Sequence, residues 1–186
     1  MYLTKKHYVK NWEHSKEKFQ VTVKKDGKII KAIKPERISY IIEEVGYWRK
    51  ANAIHQWFVD NVQSGDDDNA GEHYVSRENL KELLGLCNKV IEASELVEGK
   101  IQNGSRSTKT GWEPIMEDGK YIKDPSVAKD FLPSAEGFFF GSTDYDEYYL
   151  QNIENTKEII DGLLAEEDDG DIYYQVAKNS NNVQPP

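Results

Sequence analysis

Hydrophobic and polar positions divide this chain into a few patterned stretches separated by polar ones. The longest runs from Pro35 to Gln63, PERISYIIEEVGYWRKANAIHQWFVDNVQ. Placed at helical spacing, Ile41, Val45, Trp48 and Val59 fall together, and Tyr40, Tyr47, Ile54, Phe58 and Val62 widen that arc past half the circumference. The polar sector is narrow: Ser39, Arg49, Lys50, Ala53, Gln56 and Asp60. A surface helix needs an apolar stripe of only about 100°. The pattern therefore predicts a central helix over 35–63, covered on several sides, with Ile41, Val45, Trp48 and Phe58 buried. Pro35 suits its first turn, and Glu36 suits the positive end of its dipole.

Other stretches predict smaller elements. Residues 2–9 read as a short strand. Residues 18–24 alternate, with Phe19, Val21 and Val23 on one side, and Asp26-Gly27 is a two-residue hairpin signal, so 18–33 reads as an N-terminal β-hairpin. Ser76 is a candidate N-cap for a second helix reaching Val97, with Leu80, Leu83, Leu84, Cys87, Val90 and Ile91 as its stripe. Residues 99–133 carry few apolar positions and read as a long excursion, with a small hairpin at Asp118-Gly119. The Phe138–Phe140 run precedes a third helix over 144–165, where Asp144 and Glu147 have capping-box spacing. Ile172 to Val176 reads as a closing strand and 177–186 as a disordered tail. The fold class is α+β: one domain over 1–186, with three principal helices, the hairpin and a few short strands.

Polar side chains inside the apolar arc supply the candidate chemistry. Glu44, Asn52 and His55 lie there around Trp48. Buried polar groups must be paired, so these either satisfy one another in the core or line a pocket. Trp57 projects toward the polar sector beside Lys50, to meet another element or a partner. In the segment Gly141-Ser142-Thr143-Asp144-Tyr145-Asp146, free amides before a helix can hold an anion, although Asp144 and Asp146 oppose that. A ligand site drawn from both stretches comprises Trp48, Arg49, Lys50, Asn52, His55, Trp57, Ser142, Thr143, Asp144 and Tyr145. Here rings would stack on a ligand ring, Arg49 and Lys50 would meet phosphate, and Asn52, His55 and Asp144 would read polar edges. The GSTDYDE segment would fold against the long helix to close it.

Composition narrows the rest. A formal charge of −9 over 186 residues argues against direct nucleic-acid binding, though it permits mimicry of nucleic acid at basic sites. The single cysteine, Cys87, excludes an intrachain disulfide and a CxxC metal pattern, and reads as a buried structural thiol. Asp66–Asp68 lack the alternating spacing of a calcium loop and read as a solvated acidic loop. No cofactor motif is present, and the histidines lack zinc-like spacing, so no tightly bound metal is expected. His55, Asp144 and Asp146 would ligate one only if the fold gathered them. The N-terminus lacks a signal-peptide core, and no run of about 18 apolar residues spans a membrane, which together point to the cytoplasm.

The strings YWRKANAIHQWFVDNVQ and GFFFGSTDYDEYYL resemble a family of small, uncharacterised accessory proteins of bacteriophages and prophages. That resemblance implies a phage accessory protein made in the host cytoplasm, of a kind that often blocks host defence by sequestering a nucleotide signal or occupying a defence protein. Three functions stay open. The first is a non-catalytic binding protein for a small polar or nucleotide-like ligand. The second is a protein–protein inhibitor or structural interaction protein with an acidic surface. The third is a hydrolase using His55 with Asp144 or Asp146. Homo-oligomerisation is also open.

Overall fold

The computed structural model describes residues 1–14, 16, 18–68, 70–109, 111–136, 142–167 and 170–176. The Phe138–Phe140 run and the tail 177–186 therefore lie outside the described residues. The protein is α+β. An antiparallel sheet of four strands, ordered β4-β1-β8-β5, comprises β1 (Tyr2–Tyr8), β4 (Tyr40–Tyr47), β5 (His73–Val75) and β8 (Asp171–Gln175). Against it lie α1 (Asn52–Asn61), α2 (Arg77–Ala93) and α4 (Glu147–Ala165).

The long central helix does not form. Pro35–Arg37 is one turn of 3₁₀ helix, Tyr40–Tyr47 is β4, and helix begins only at Asn52. The reason is local. YIIEEVGY concentrates β-branched and aromatic residues, which favour a pleated strand. Gly46 then lets β4 approach its neighbours: a Cβ there would lie 3.0 Å from Ile159, 3.2 Å from Leu3 and 3.3 Å from Trp48. Lys50, at φ 62°, turns the chain out of the strand and into α1. The unusually wide apolar arc was the trace of a strand read with a helical period. Burial follows suit: Trp48 and Phe58 are core, Val45 is half-buried, and Ile41 is exposed, against expectation. Glu44 is likewise exposed on β4.

The Asp26-Gly27 hairpin exists but is reduced to β2 (Lys24–Lys25) and β3 (Lys28–Ile29). Both turn residues have positive φ, at 51° and 76°, which matches the twist of a two-residue hairpin turn. Phe19, Ile29 and Ile33 are exposed, so no core holds longer strands together.

Helix α2 begins where expected. The Ser76 hydroxyl accepts from the Asn79 amide at 3.0 Å, and Asn79 Oδ1 accepts from the Ser76 amide at 3.2 Å. Leu80, Leu83, Cys87 and Val90 are its buried stripe. Burial pushes the Cys87 thiol up to about 12, leaving it protonated and inert at neutral pH. The helix stops at Ala93, short of Val97, because the chain enters a strand at Leu96.

The 99–133 excursion is ordered. Strand β6 (Leu96–Thr108) pairs antiparallel with β7 (Gly111–Ile122) to make a long two-stranded arm, followed by the short helix α3 (Ser126–Phe131). Most of the arm has solvent on both faces, so its sequence carries no alternation to read. Asp118-Gly119 is not a turn but the middle of β7, opposite Lys100 and Gly99. Glycine is needed there for a close approach: a Cβ on Gly119 would sit 2.3 Å from Ile101 and 2.7 Å from a Glu147 oxygen.

Helix α4 is capped by Asp146 rather than Asp144: its carboxylate accepts from the Tyr149 amide at 2.9 Å. The Ile122 amide donates to Tyr145 O at 2.8 Å, and Asp146 bridges to Tyr121, holding 145–146 extended until the helix starts. Strand β8 lies between β1 and β5 in the sheet. No helix among the described residues is long and apolar enough to cross a membrane.

Candidate functional site

Four segments enclose a cavity of about 520 Å³: the β4–α1 junction at Arg49–Ile54, the β6 bend at Gln102–Ser105, Ser142 to Asp146, and the first turns of α4. The bend exists because the arm's register shifts between Gln102 and Ser105, where Gly104 has φ 91°. Pairing of Lys120 with Glu147, amide to carboxylate at 3.0 Å, fixes the arm's base to α4.

One wall is cationic. Arg49 and Lys50 are exposed at its rim, and α1 starts there with no side-chain cap on Ala51 and no acidic residue in its first turn. The positive end of that helix is thus uncompensated by its own sequence. The lining also includes Asp144 and Asp146, with Tyr148, Gln151 and Asn152 from α4. Asn52 stitches the walls together, its amide donating to Ser142 O at 3.2 Å. The Asp144 amide in turn donates to the Ser142 hydroxyl at 3.0 Å.

Asp146 is the buried carboxyl of this site, 3% exposed. Burial raises its pKa, as does the charge of Asp144, while amides at the helix start oppose the shift. A raised value means the folded protein holds the proton more readily than the unfolded chain. The resulting stabilisation is complete below the ordinary carboxylate range and is lost as pH rises through the raised value. Asp146→Asn keeps the cap and removes the charge, so it is expected to gain stability relative to the native protein at neutral pH but not in acid. Asp146→Ala loses the cap and about 1 kcal/mol. Urea denaturation at the two pH values checks this; parallel profiles for the native protein and Asp146→Asn would contradict it.

Of the ten residues marked by the sequence, five line the cavity: Arg49, Lys50, Asn52, Ser142 and Asp144. The others do not. Trp48 is core, its indole donating to the Thr156 hydroxyl at 2.8 Å. Trp57 packs edge-on to Phe58 and borders a separate shallow groove with Leu132. Thr143 offers its carbonyl to the Ser134 hydroxyl, and the Tyr145 hydroxyl accepts from the Ser134 amide at 3.0 Å. His55 is a core residue: Nδ1 lies 2.7 Å from the Tyr174 hydroxyl and Nε2 lies 3.2 Å from Asp67. Asp67, expected to be merely solvated, therefore ties its loop to α1. The GSTDYDE segment meets the helix through Asn52, and neither Trp48 nor His55 is among the residues lining this cavity.

Gln102, Ser105 and Tyr148 were missed. The first two are placed by the bend of an arm that has no apolar pattern. Tyr148 was legible in principle, since Tyr148 and Asn152 recur at helical spacing beside the apolar stripe of α4. Among the described residues, no group of three His, Cys, Asp or Glu side chains is placed to hold a metal ion. Comparison with protein families, curated proteins and solved structures finds no match for this chain.

Proposed function

We propose that the protein is a non-catalytic binding protein for a small, polar, nucleotide-like ligand, and that this cavity is its site. The observation that carries the reading is the convergence of two segments far apart in sequence, 49–54 and 142–146, on one concave space lined by both basic and acidic side chains. Its volume lies within the roughly 300–1,000 Å³ typical of ligand pockets. An anionic group would sit against Arg49, Lys50 and the start of α1. Asn52, Gln102 and Asn152 would read polar edges, and the exposed ring of Tyr148 would offer a stacking surface. Were the chain a phage accessory protein, as its resemblance implies, such binding would sequester a host defence signal.

A thermal-shift screen against nucleotides, cyclic dinucleotides, ADP-ribose derivatives and divalent metals tests this. A ligand at about one hundred times its Kd stabilises by about 2.7 kcal/mol, a rise of roughly 5–10 °C for a chain of this size. Arg49→Ala, an exposed change, should abolish the rise and leave the unliganded melting temperature intact. An equal rise in Arg49→Ala, or none with any anionic ligand, would contradict the proposal.

A further inference from the structure

Among the described residues, the helices pack on one face of the four-stranded sheet. Side chains alternate across a strand, and the register sends Leu3, Tyr174, Ile172 and Val75 to the helices. The same register gathers Tyr2, Tyr8, Tyr40, Tyr47, Tyr74 and Tyr173 on the opposite face, six of the chain's eleven tyrosines. They stand in neighbouring pairs: Tyr2 with Tyr47 at 5.2 Å between centroids, Tyr8 with Tyr40 at 6.1 Å, and Tyr74 with Tyr173 at 6.0 Å. Tyr8, Tyr40, Tyr47, Tyr74 and Ile42 are each 45–58% exposed. Scattered exposed apolar residues need no explanation, but a contiguous aromatic face does. Tyrosine presents a large rigid ring with a polar tip, the residue type of binding surfaces.

The charges of this face say what would cover it. Lys6 is a cation of this face, and Glu44 and Asp171 lie on the same face by register, with Glu72 beside them and the N-terminal ammonium near Glu44. Lys6 is itself informative. Its ammonium lies 4.2 Å from the Tyr173 centroid and 5.4 Å from that of Tyr40, while pairing with Glu72. The face thus already receives one cation between two rings and a carboxylate, and the remaining rings offer the same chemistry to a second molecule. Carboxylates on the face and a chain charge of −9 disfavour phosphate backbones.

We propose that the tyrosine face docks an arginine-bearing segment of another protein. Arginine fits better than lysine because its planar guanidinium stacks on rings while bonding to carboxylates. This surface is separate from the cavity, and the proposal stands or falls independently of ligand binding there.

The probe is a peptide of alternating arginine and serine, compared with lysine–serine and glutamate–serine peptides of equal length, titrated near physiological salt and followed by amide shifts. The arginine peptide should bind most tightly and perturb Tyr2–Tyr8, Tyr40–Tyr47 and Asp171–Gln175. Tyr47→Ser and Tyr74→Ser leave the charge unchanged, yet each should weaken binding about two- to fivefold. Their circular dichroism should match the native protein. Binding that ignores the tyrosine substitutions, or that maps to Asp66–Asp68, would reduce the effect to bulk acidity and overturn the proposal. So would no binding, a single-stranded oligonucleotide occupying the face, or self-association lost in Tyr47→Ser.

Discussion

Trp48→Ala is expected to destabilise the protein by about 3–5 kcal/mol. Trp48 follows the last residue of β4 and is 2% exposed, so its ring fills the joint between sheet and helices. It packs against Phe58, 5.9 Å away, and lies against Gly46. Alanine would leave a large void there, and it would also strip the Thr156 hydroxyl of its indole donor. That hydroxyl still donates to Asn152 O at 2.7 Å, so the loss is mainly one of packing. Total stability for a domain is about 5–15 kcal/mol, which makes this a large fraction. Urea denaturation measures it; a loss below about 1 kcal/mol would mean the ring is not a core element. Trp48→Phe should recover much of the deficit.

His55→Ala is expected to cost about 3 kcal/mol. The ring is buried between the Tyr174 hydroxyl and Asp67, and Tyr174 stacks on Phe58 with centroids 4.1 Å apart and planes within 9°. Burial raises the Tyr174 phenol well above its ordinary value, so it stays a neutral hydroxyl that needs a partner. Removing the imidazole leaves that hydroxyl unpaired and opens the core. Tyr174→Phe removes the other half, and a double-mutant cycle should show coupling of about 0.5–3 kcal/mol. Additive losses would break the proposed pair. A variant that kept its stability would reopen a functional role for His55.

These two residues also mark what the sequence could and could not convey. Placing polar groups beside large aromatics pointed to two stretches that do meet, through Asn52 and Ser142. The same logic could not separate Asn52, at a cavity wall, from His55 three residues later on the same helix, whose partners come from β8 and the acidic loop. Helices α2 and α4 were legible because each buries one narrow stripe, such as Leu80–Leu83–Cys87–Val90. Strand β4 was not, since an edge strand with Ile41 and Ile42 exposed is apolar on both sides and passes for helix. The arm was invisible for the opposite reason: strands β6 and β7 hold each other by backbone pairing, with little burial to imprint a pattern. Its bend at Gln102–Ser105 forms a wall of the cavity, so that wall could not be foreseen.

The most direct test of the cavity as a ligand site is amide shift mapping on isotope-labelled protein with the strongest hit from the nucleotide and ADP-ribose screen. Binding at the proposed site moves the resonances of Lys50–Ile54, Gln102–Ser105 and Ser142–Tyr149 together, and Arg49→Ala removes those shifts. Saturable shifts confined to other surfaces, or none with any ligand of the set, would contradict it.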